Sequence, residues 1–134
     1  MIKLLSLSLS LSLLLSCEGK FDYKTIDQDK HHQLTQYVLG SDDIPLFSDL
    51  KQLDQESTNF DTISGNIVIS SYIGNIKLSE VKYFYLGALP QLGWKLDSEE
   101  GNNFSYKRNN DILKISLKQN DNKLLVKFFI SSSI

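Results

Sequence analysis

Cysteine is almost absent from this 134-residue chain, which carries a single one at position 17. One thiol excludes an internal disulfide, a CxxC redox motif and a thiolate metal cluster, so a folded domain must be held by its core alone. Basic runs are also missing, and the formal charge is −2. Because phosphate contacts need a basic footprint, we expect no nucleic acid partner, and no run of lysines indicates an anionic membrane patch.

Catalytic motifs are lacking as well, since the chain has neither a GxSxG elbow nor a glycine-rich phosphate loop. Asp42-Asp43 and Glu99-Glu100 are carboxylate pairs of the kind that acid–base catalysis uses, but both lie in polar turns that favour solvated charges. His31-His32 with Asp27 and Asp29 offers metal-ligand types, yet adjacent imidazoles diverge and no third histidine exists. We therefore expect no enzymatic activity, no metal and no cofactor.

The longest apolar stretch, Leu4 to Leu15, contains only leucine and serine and follows Lys3. A basic start, a short apolar centre and a small residue at Ser16 are the parts of a cleavable signal peptide. The stretch is too short for a membrane span, which needs about 20 residues. A β-strand is the other interpretation of the alternation, but it would have no turn and no partner. We expect residues 1–16 to be removed.

The tetrapeptide Leu14-Leu15-Ser16-Cys17 resembles the lipobox of bacterial lipoproteins. The resemblance implies that a signal peptidase recognises Leu14, Leu15 and Ser16, and that Cys17 becomes the lipidated first residue. Each buried methylene contributes about 0.8 kcal/mol, and two or three acyl chains give a stable anchor. Glu18 is not aspartate, which under the enterobacterial sorting rule favours the outer membrane. The alternative for Cys17 is a free thiol behind a cleaved secretory peptide.

Residues 17–43 are mostly polar and are interpreted as a tether that lifts a domain off the membrane. Within it, a short helix is predicted from about Asp27 to Leu39, closed by Gly40. The folded domain is predicted at residues 44–134, a length that supports one modest core and no second domain.

An amphipathic helix is the clearest predicted element of this domain. Ser79 is its predicted N-cap, with Leu78 and Tyr83 in the positions of a hydrophobic staple, and Gly93 follows as a left-handed cap. The apolar residues recur at the spacing of one buried helical face: Val81, Phe84, Tyr85, Ala88, Leu89 and Leu92.

Strands precede and follow the helix. Asn59 to Ile63 and Asn66 to Ile73 flank Ser64-Gly65 and predict a hairpin. Later strands are predicted at Trp94 to Asp97, Phe104 to Arg108, Ile112 to Lys118 and Leu124 to Ile130. The order predicts an α+β fold in which one helix packs on a single, mainly antiparallel sheet. The predicted inward residues of the last three strands are Phe104, Tyr106, Leu113, Ile115, Leu117, Leu124, Val126, Phe128 and Ile130.

A set of short motifs runs through the predicted domain: Ile44-Pro45-Leu46, Asn59-Phe60-Asp61 with Gly65, Phe84-Tyr85, Leu89-Pro90-Gln91-Leu92-Gly93-Trp94, Phe104 to Arg108, and Val126-Lys127-Phe128. With these motifs, the stretch from Ile44 to Phe129 resembles a family of small uncharacterised proteobacterial lipoproteins. The resemblance implies an envelope location and a fold. It implies no reaction, because that family has no established activity or catalytic residues.

Two surfaces are candidates for binding a partner. Tyr83 lies off the buried stripe of the helix and is free to contact another molecule. Phe129 and Leu125 point away from the predicted core, and with Tyr72 and Val68 they would form an exposed apolar patch if that sheet face is uncovered. The alternative is that the tether or the segment after it covers that face.

These observations lead to two functional hypotheses. The first is a non-enzymatic lipoprotein anchored to the membrane through acyl chains on Cys17, facing the periplasm and acting as an accessory or scaffold for an envelope protein partner. The alternative is a carrier of a lipid or another apolar ligand, held in a cleft between helix and sheet that Gly87 and a kink at Pro90 would open.

Overall fold

The computed structural model describes residues 36–133. The predicted signal peptide, the lipobox with Cys17 and the pair His31-His32 lie outside the described residues. The elements are β1 (Lys51–Gln52), a 3-10 turn (Asp54–Glu56), β2 (Thr58–Thr62), β3 (Gly65–Gly74), α1 (Leu78–Gln91), β4 (Lys95–Glu100), β5 (Asn103–Arg108), β6 (Asp111–Asn120) and β7 (Lys123–Ser133).

All strands pair antiparallel in one sheet. Its order is β4-β5-β6-β7-β3, and the short strands β1 and β2 share the outer edge of β3. α1 connects β3 to β4 at the far edge, so the chain crosses one face of the sheet. The prediction of an α+β fold, with a hairpin, one helix and an antiparallel meander, is confirmed.

α1 buries the predicted stripe, because Val81, Tyr85 and Leu89 are at most 2% exposed. Its start differs from the prediction. Lys77 is the N-cap without a side-chain bond, and the orphan amide of Leu78 instead donates to Oε1 of Gln119 at 3.0 Å. Ser79 as N-cap was therefore wrong, because a glutamine at the end of β6 satisfies the helix start.

The end of α1 follows the prediction. Pro90 lies inside the last turn, where it cannot donate to the carbonyl of Leu86, and the helix stops one residue later. The amide of Trp94 donates to the carbonyl of Leu89, and that of Gly93 donates to the carbonyl of Pro90. Gly93 has a φ of +85°, the left-handed cap predicted from its position.

The fold begins earlier than predicted. Val38 and Ile44 are at most 1% exposed and belong to the same core as the helix. The hydroxyl of Tyr72 accepts a hydrogen bond from the amide of Leu39 at 2.9 Å. Placing all of residues 17–43 in a tether was therefore wrong for this stretch. Tyr37 forms a β-bridge with Pro45, so the described end of the predicted helix at 27–39 is extended.

Aromatic rings form contacts between the sheet, the helix and the N-terminal segment. The ring of Phe128 packs edge-on against Tyr72 at 5.5 Å and against Tyr85 at 5.4 Å between ring centres. Phe84 continues the contact to Phe47. The hydroxyl of Tyr85 donates to the carbonyl of Pro45 at 3.0 Å and accepts from the amide of Phe47, which joins the N-terminal segment to the helix.

Candidate functional site

Alternation along the strands gives the sheet two chemically different faces. The inner face meets α1, and its residues on β5, β6 and β7 include the nine predicted inward residues, all of which are buried. The opposite face is here called the outer face. Phe129 marks it, because its cross-strand neighbours are Ile69 on β3 and Lys114 on β6. No helix or strand of residues 36–133 packs over Phe129 as α1 packs over Phe128.

Six apolar side chains on β2, β3 and β7 lie on the outer face. The register of these strands pairs Ile69 with Phe129 and Ile73 with Leu125, and the pair of Ser71 and Lys127 lies between them. Phe60 pairs with Ile67 and is 51% exposed, whereas the other five are half-buried. This apolar band consists of Phe60, Ile67, Ile69, Ile73, Leu125 and Phe129.

Tyr72 does not belong to this surface, so its assignment to an exposed patch with Phe129 was wrong. Tyr72 is 1% exposed, lies on the inner face and packs against Phe128. Val68 is likewise on the inner face. Both faces of β3 carry apolar residues, so alternation alone does not say which one meets the helix. The hydrogen bond between Tyr72 and Leu39 reveals the correct side only once the fold is known.

Lysines occupy much of the remaining outer face and partly interleave with the apolar band, and sequence reasoning missed them. Register and strand parity assign seven to this face, and all seven are exposed. In the described chain, Asp97 and Glu100 line the surface beside the lysines of β5 to β7, and Asp49 lies beside Lys51 and Lys123. The lysines lie on five different strands, which is why no run of charge appears in the sequence. These outer-face lysines are Lys51, Lys95, Lys107, Lys114, Lys118, Lys123 and Lys127.

A trough of about 660 Å³ runs between β4 and β7 on this face. Lys107 forms an ion pair with Asp97 at 3.0 Å, and Nζ of Lys114 lies 5.5 Å from the ring centre of Phe129. Hydroxyl and amide groups line the trough between the lysines, and Glu100 adds a second carboxylate. The trough thus combines three lysines, two carboxylates, neutral hydrogen-bonding groups and an aromatic side chain, with cations in excess. Its neutral polar residues are Ser98, Asn103, Ser105 and Ser116.

Tyr83 lies on the opposite side of the domain from Phe129 and Leu125. It sits on α1 and is 71% exposed. The predicted staple between Tyr83 and Leu78 was wrong for that reason, whereas the prediction that Tyr83 is free of the buried stripe is confirmed. One flat partner surface cannot contact Tyr83 and the apolar band together.

The two acidic pairs are each divided between different neighbours. Asp43 accepts two hydrogen bonds from Arg108, and this contact lowers the pKa of Asp43 below its ordinary value. Glu99 pairs with Lys82 at 2.9 Å on the helix side, whereas its neighbour Glu100 lines the outer trough. Neither pair forms a shared acid–base site. Within residues 36–133, no group of three metal-ligand side chains occurs.

Arg108 holds the N-terminal segment against the helix end. Its guanidinium stacks 4.3 Å from the ring centre of Trp94 and donates to the carbonyl of Leu92 at 3.0 Å, in addition to its pair with Asp43. A planar guanidinium can stack and donate in its plane at once. Each of its partners is a structural group of this chain, which assigns Arg108 to fold stability.

The predicted role of Gly87 in opening an apolar cleft under the helix does not agree with the structure. Gly87 faces solvent, and a Cβ placed there would have no neighbour within 4 Å. The helix residues that do face the sheet are almost fully buried. Gly87 therefore opens no space between helix and sheet.

Comparisons with known proteins add little to this geometry. No family model and no curated protein matches the chain. A solved structure, CalU16 from Micromonospora echinospora, matches 63% of this chain and 70% of its own at 10% identity and a TM-score of 0.35, which carries no argument. Among residues 36–133, no helix is long and apolar enough to cross a bilayer.

Proposed function

We propose that this chain is an acyl-anchored bacterial envelope lipoprotein that acts as a non-enzymatic accessory or scaffold protein. Residues 1–16 are its signal peptide, Cys17 is its lipidated residue, and the outer membrane is the favoured location. The lipobox pattern and the resemblance of residues 44–129 to small envelope lipoproteins support the anchor. The domain binds a protein partner in the periplasm.

The apolar band carries this proposal. The helix side of the sheet uses its apolar residues internally, whereas Ile69, Leu125 and Phe129 lie on the opposite face and are only half-buried. Contiguous apolar patches on such faces mark interaction sites more often than scattered apolar residues do. The band therefore supplies the apolar part of the proposed contact, and Phe129 lies where the band borders Lys114.

The anchor is tested by replacing Cys17→Ala in the full chain and following maturation in cells. We expect the wild-type chain to take up radioactive palmitate and to be shortened, and the variant to do neither. Normal processing of the variant would refute the lipoprotein assignment and leave the binding surface to be judged separately.

The contact surface is tested by photocrosslinking in intact envelopes. Phe129→p-benzoylphenylalanine and Tyr83→p-benzoylphenylalanine place the same aromatic probe on opposite sides of the domain. We expect position 129 to yield a discrete protein adduct and position 83 to yield none. An adduct from position 83 alone, or lipid adducts alone from position 129, would contradict the proposal.

A further inference from the structure

The outer-face lysines point to a second contact, one with lipid. We propose that they dock the domain on the anionic headgroups of the leaflet that holds the acyl chains. This inference rests on the proposed function for the anchor only, because the charge pattern belongs to the folded domain itself. The apolar band would then meet a protein partner located at the same membrane surface.

The fold, and not the overall composition, concentrates positive charge on one face of the sheet. The whole chain is acidic, with a formal charge of −2, yet seven lysines share one face of the sheet. On the helix side, Lys82 is paired with Glu99 and Arg108 with Asp43, which leaves Lys77 as the exposed lysine at the helix start. An acidic protein gains attraction to an anionic surface only if its positive charges are collected in this way.

The spacing of these lysines favours an extended surface over a small anion. Lys114 and Lys118 lie on the same side of β6, about 13 Å apart along the strand. Lys123 and Lys127 repeat that separation on β7. A single phosphate or carboxylate can be shared by cross-strand partners such as Lys95 and Lys107, but it cannot reach lysines spread over five strands, whereas a layer of lipid headgroups presents anions at every lysine. Each lysine near such a layer contributes about 1 kcal/mol.

The use of lysine favours lipid over an acidic protein as the partner of the outer-face lysines. Protein interfaces are depleted in lysine and enriched in arginine and aromatic residues. The single arginine of the chain, Arg108, is used internally on the other side. Lysine is a compact charge on a flexible stem, which can follow mobile headgroups without fixed geometry.

An exposed apolar side chain on the same domain fits the same occupant. The hairpin between β2 and β3 carries Ile63, which is fully exposed at its tip. Surfaces that combine apolar side chains with lysines bind at the boundary between headgroups and acyl chains.

Vesicle binding tests this inference without the acyl chains. The chain from residue 17 with Cys17→Ser keeps every described residue, and it is sedimented with vesicles of phosphatidylcholine that contain or lack phosphatidylglycerol. We expect binding to the anionic vesicles only, weakened by added salt. The triple variant Lys114→Gln, Lys118→Gln and Lys127→Gln should lose roughly a hundredfold in partition coefficient, since each lysine is worth about a factor of five.

A matched pair of single substitutions provides the control. Lys118→Glu and Lys77→Glu change the net charge equally, but only Lys118 lies on the outer face. We expect Lys118→Glu to weaken vesicle binding at least fivefold and Lys77→Glu to leave it within twofold, with unchanged circular dichroism for both. The inference would be overturned if both variants lost vesicle binding equally or if the protein showed no preference for anionic vesicles. It would also be overturned if the protein bound an acidic polypeptide such as polyglutamate in preference to vesicles. Palmitate labelling of Cys17 remains a separate test of the anchor.

Discussion

The two faces of β7 differ in burial, although both carry phenylalanine and other apolar residues. On the inner side, Phe128 is completely buried between Tyr72 and Tyr85. On the outer side, its neighbour Phe129 is only half-buried and lies beside an exposed lysine. The same residue type thus forms core on one face and contact surface on the other. What decides is which face the helix covers, since no helix or strand of residues 36–133 packs over Phe129.

Phe128→Ala and Phe129→Ala test this difference most strongly. Truncating a fully buried phenylalanine costs about 3 to 5 kcal/mol, because it removes buried area and leaves a cavity. The same change at the half-buried Phe129 should cost on the order of 1 kcal/mol. Urea denaturation of both variants measures the two free energies of unfolding. Equal losses would contradict the assignment of the two faces.

Tyr85→Phe and Tyr83→Phe compare the buried and exposed sides of the helix. Burial raises the pKa of Tyr85 above its ordinary value of 10.0, so its hydroxyl stays protonated and donates to the carbonyl of Pro45. Removing that hydroxyl should lower the free energy of unfolding by about 1 to 3 kcal/mol, since a buried amide and carbonyl lose their partner. Tyr83→Phe should be neutral. A neutral Tyr85→Phe would show that the N-terminal segment is not held by this contact.

Asp43→Asn tests the ion pair that holds the N-terminal segment. Arg108 lowers the pKa of Asp43 below 3.8, so the folded state favours the charged carboxylate. The stabilisation is therefore present above that value and is lost as the pH falls through the folded pKa. Because Asp43 is 39% exposed, the variant should lose no more than about 1 kcal/mol at neutral pH. Urea titrations at pH 7 and pH 2 should show the difference disappearing in acid, and a constant difference would refute the pair.

Ser70→Ala should have the smallest effect. Ser70 is completely buried on the inner face, and its hydroxyl has no hydrogen-bond partner within the described residues. Removing an unsatisfied hydroxyl is neutral or slightly stabilising. Ser41→Ala, whose hydroxyl accepts from the amide of Ile44 at 3.0 Å, should by contrast cost about 1 kcal/mol. Thermal unfolding of both variants measures which substitution is the more destabilising. A large loss of stability in Ser70→Ala would contradict the expected order.

Local pattern predicted the meander and the helix because each of those elements alternates clearly. Leu113, Ile115 and Leu117 are separated by polar residues, so their common face was unambiguous, and it is buried. β3 offers apolar residues on both faces, which left Tyr72 undecided between core and surface. The N-cap could not be read locally, because Gln119 bonds Leu78 from 41 residues away.

The outer-face lysines were missed in the sequence for a related reason. Sequence inspection for basic runs looks at adjacent residues, whereas a sheet collects residues from separate strands. One signal was available: Lys114 and Lys118, like Lys123 and Lys127, are four residues apart and therefore share a strand face. Applying strand parity to charged residues as well as apolar ones would have indicated this surface.

Lysine labelling in intact envelopes tests the central claim that the outer face is the contact surface. The wild-type protein is acetylated with a succinimidyl ester in envelopes and, separately, after purification in detergent, and modification at each lysine is quantified by mass spectrometry. The account predicts that Lys114, Lys118 and Lys127 are protected several-fold in envelopes while Lys77 reacts equally in both. Protection of Lys77 without the others, or equal reaction of all four, would contradict it.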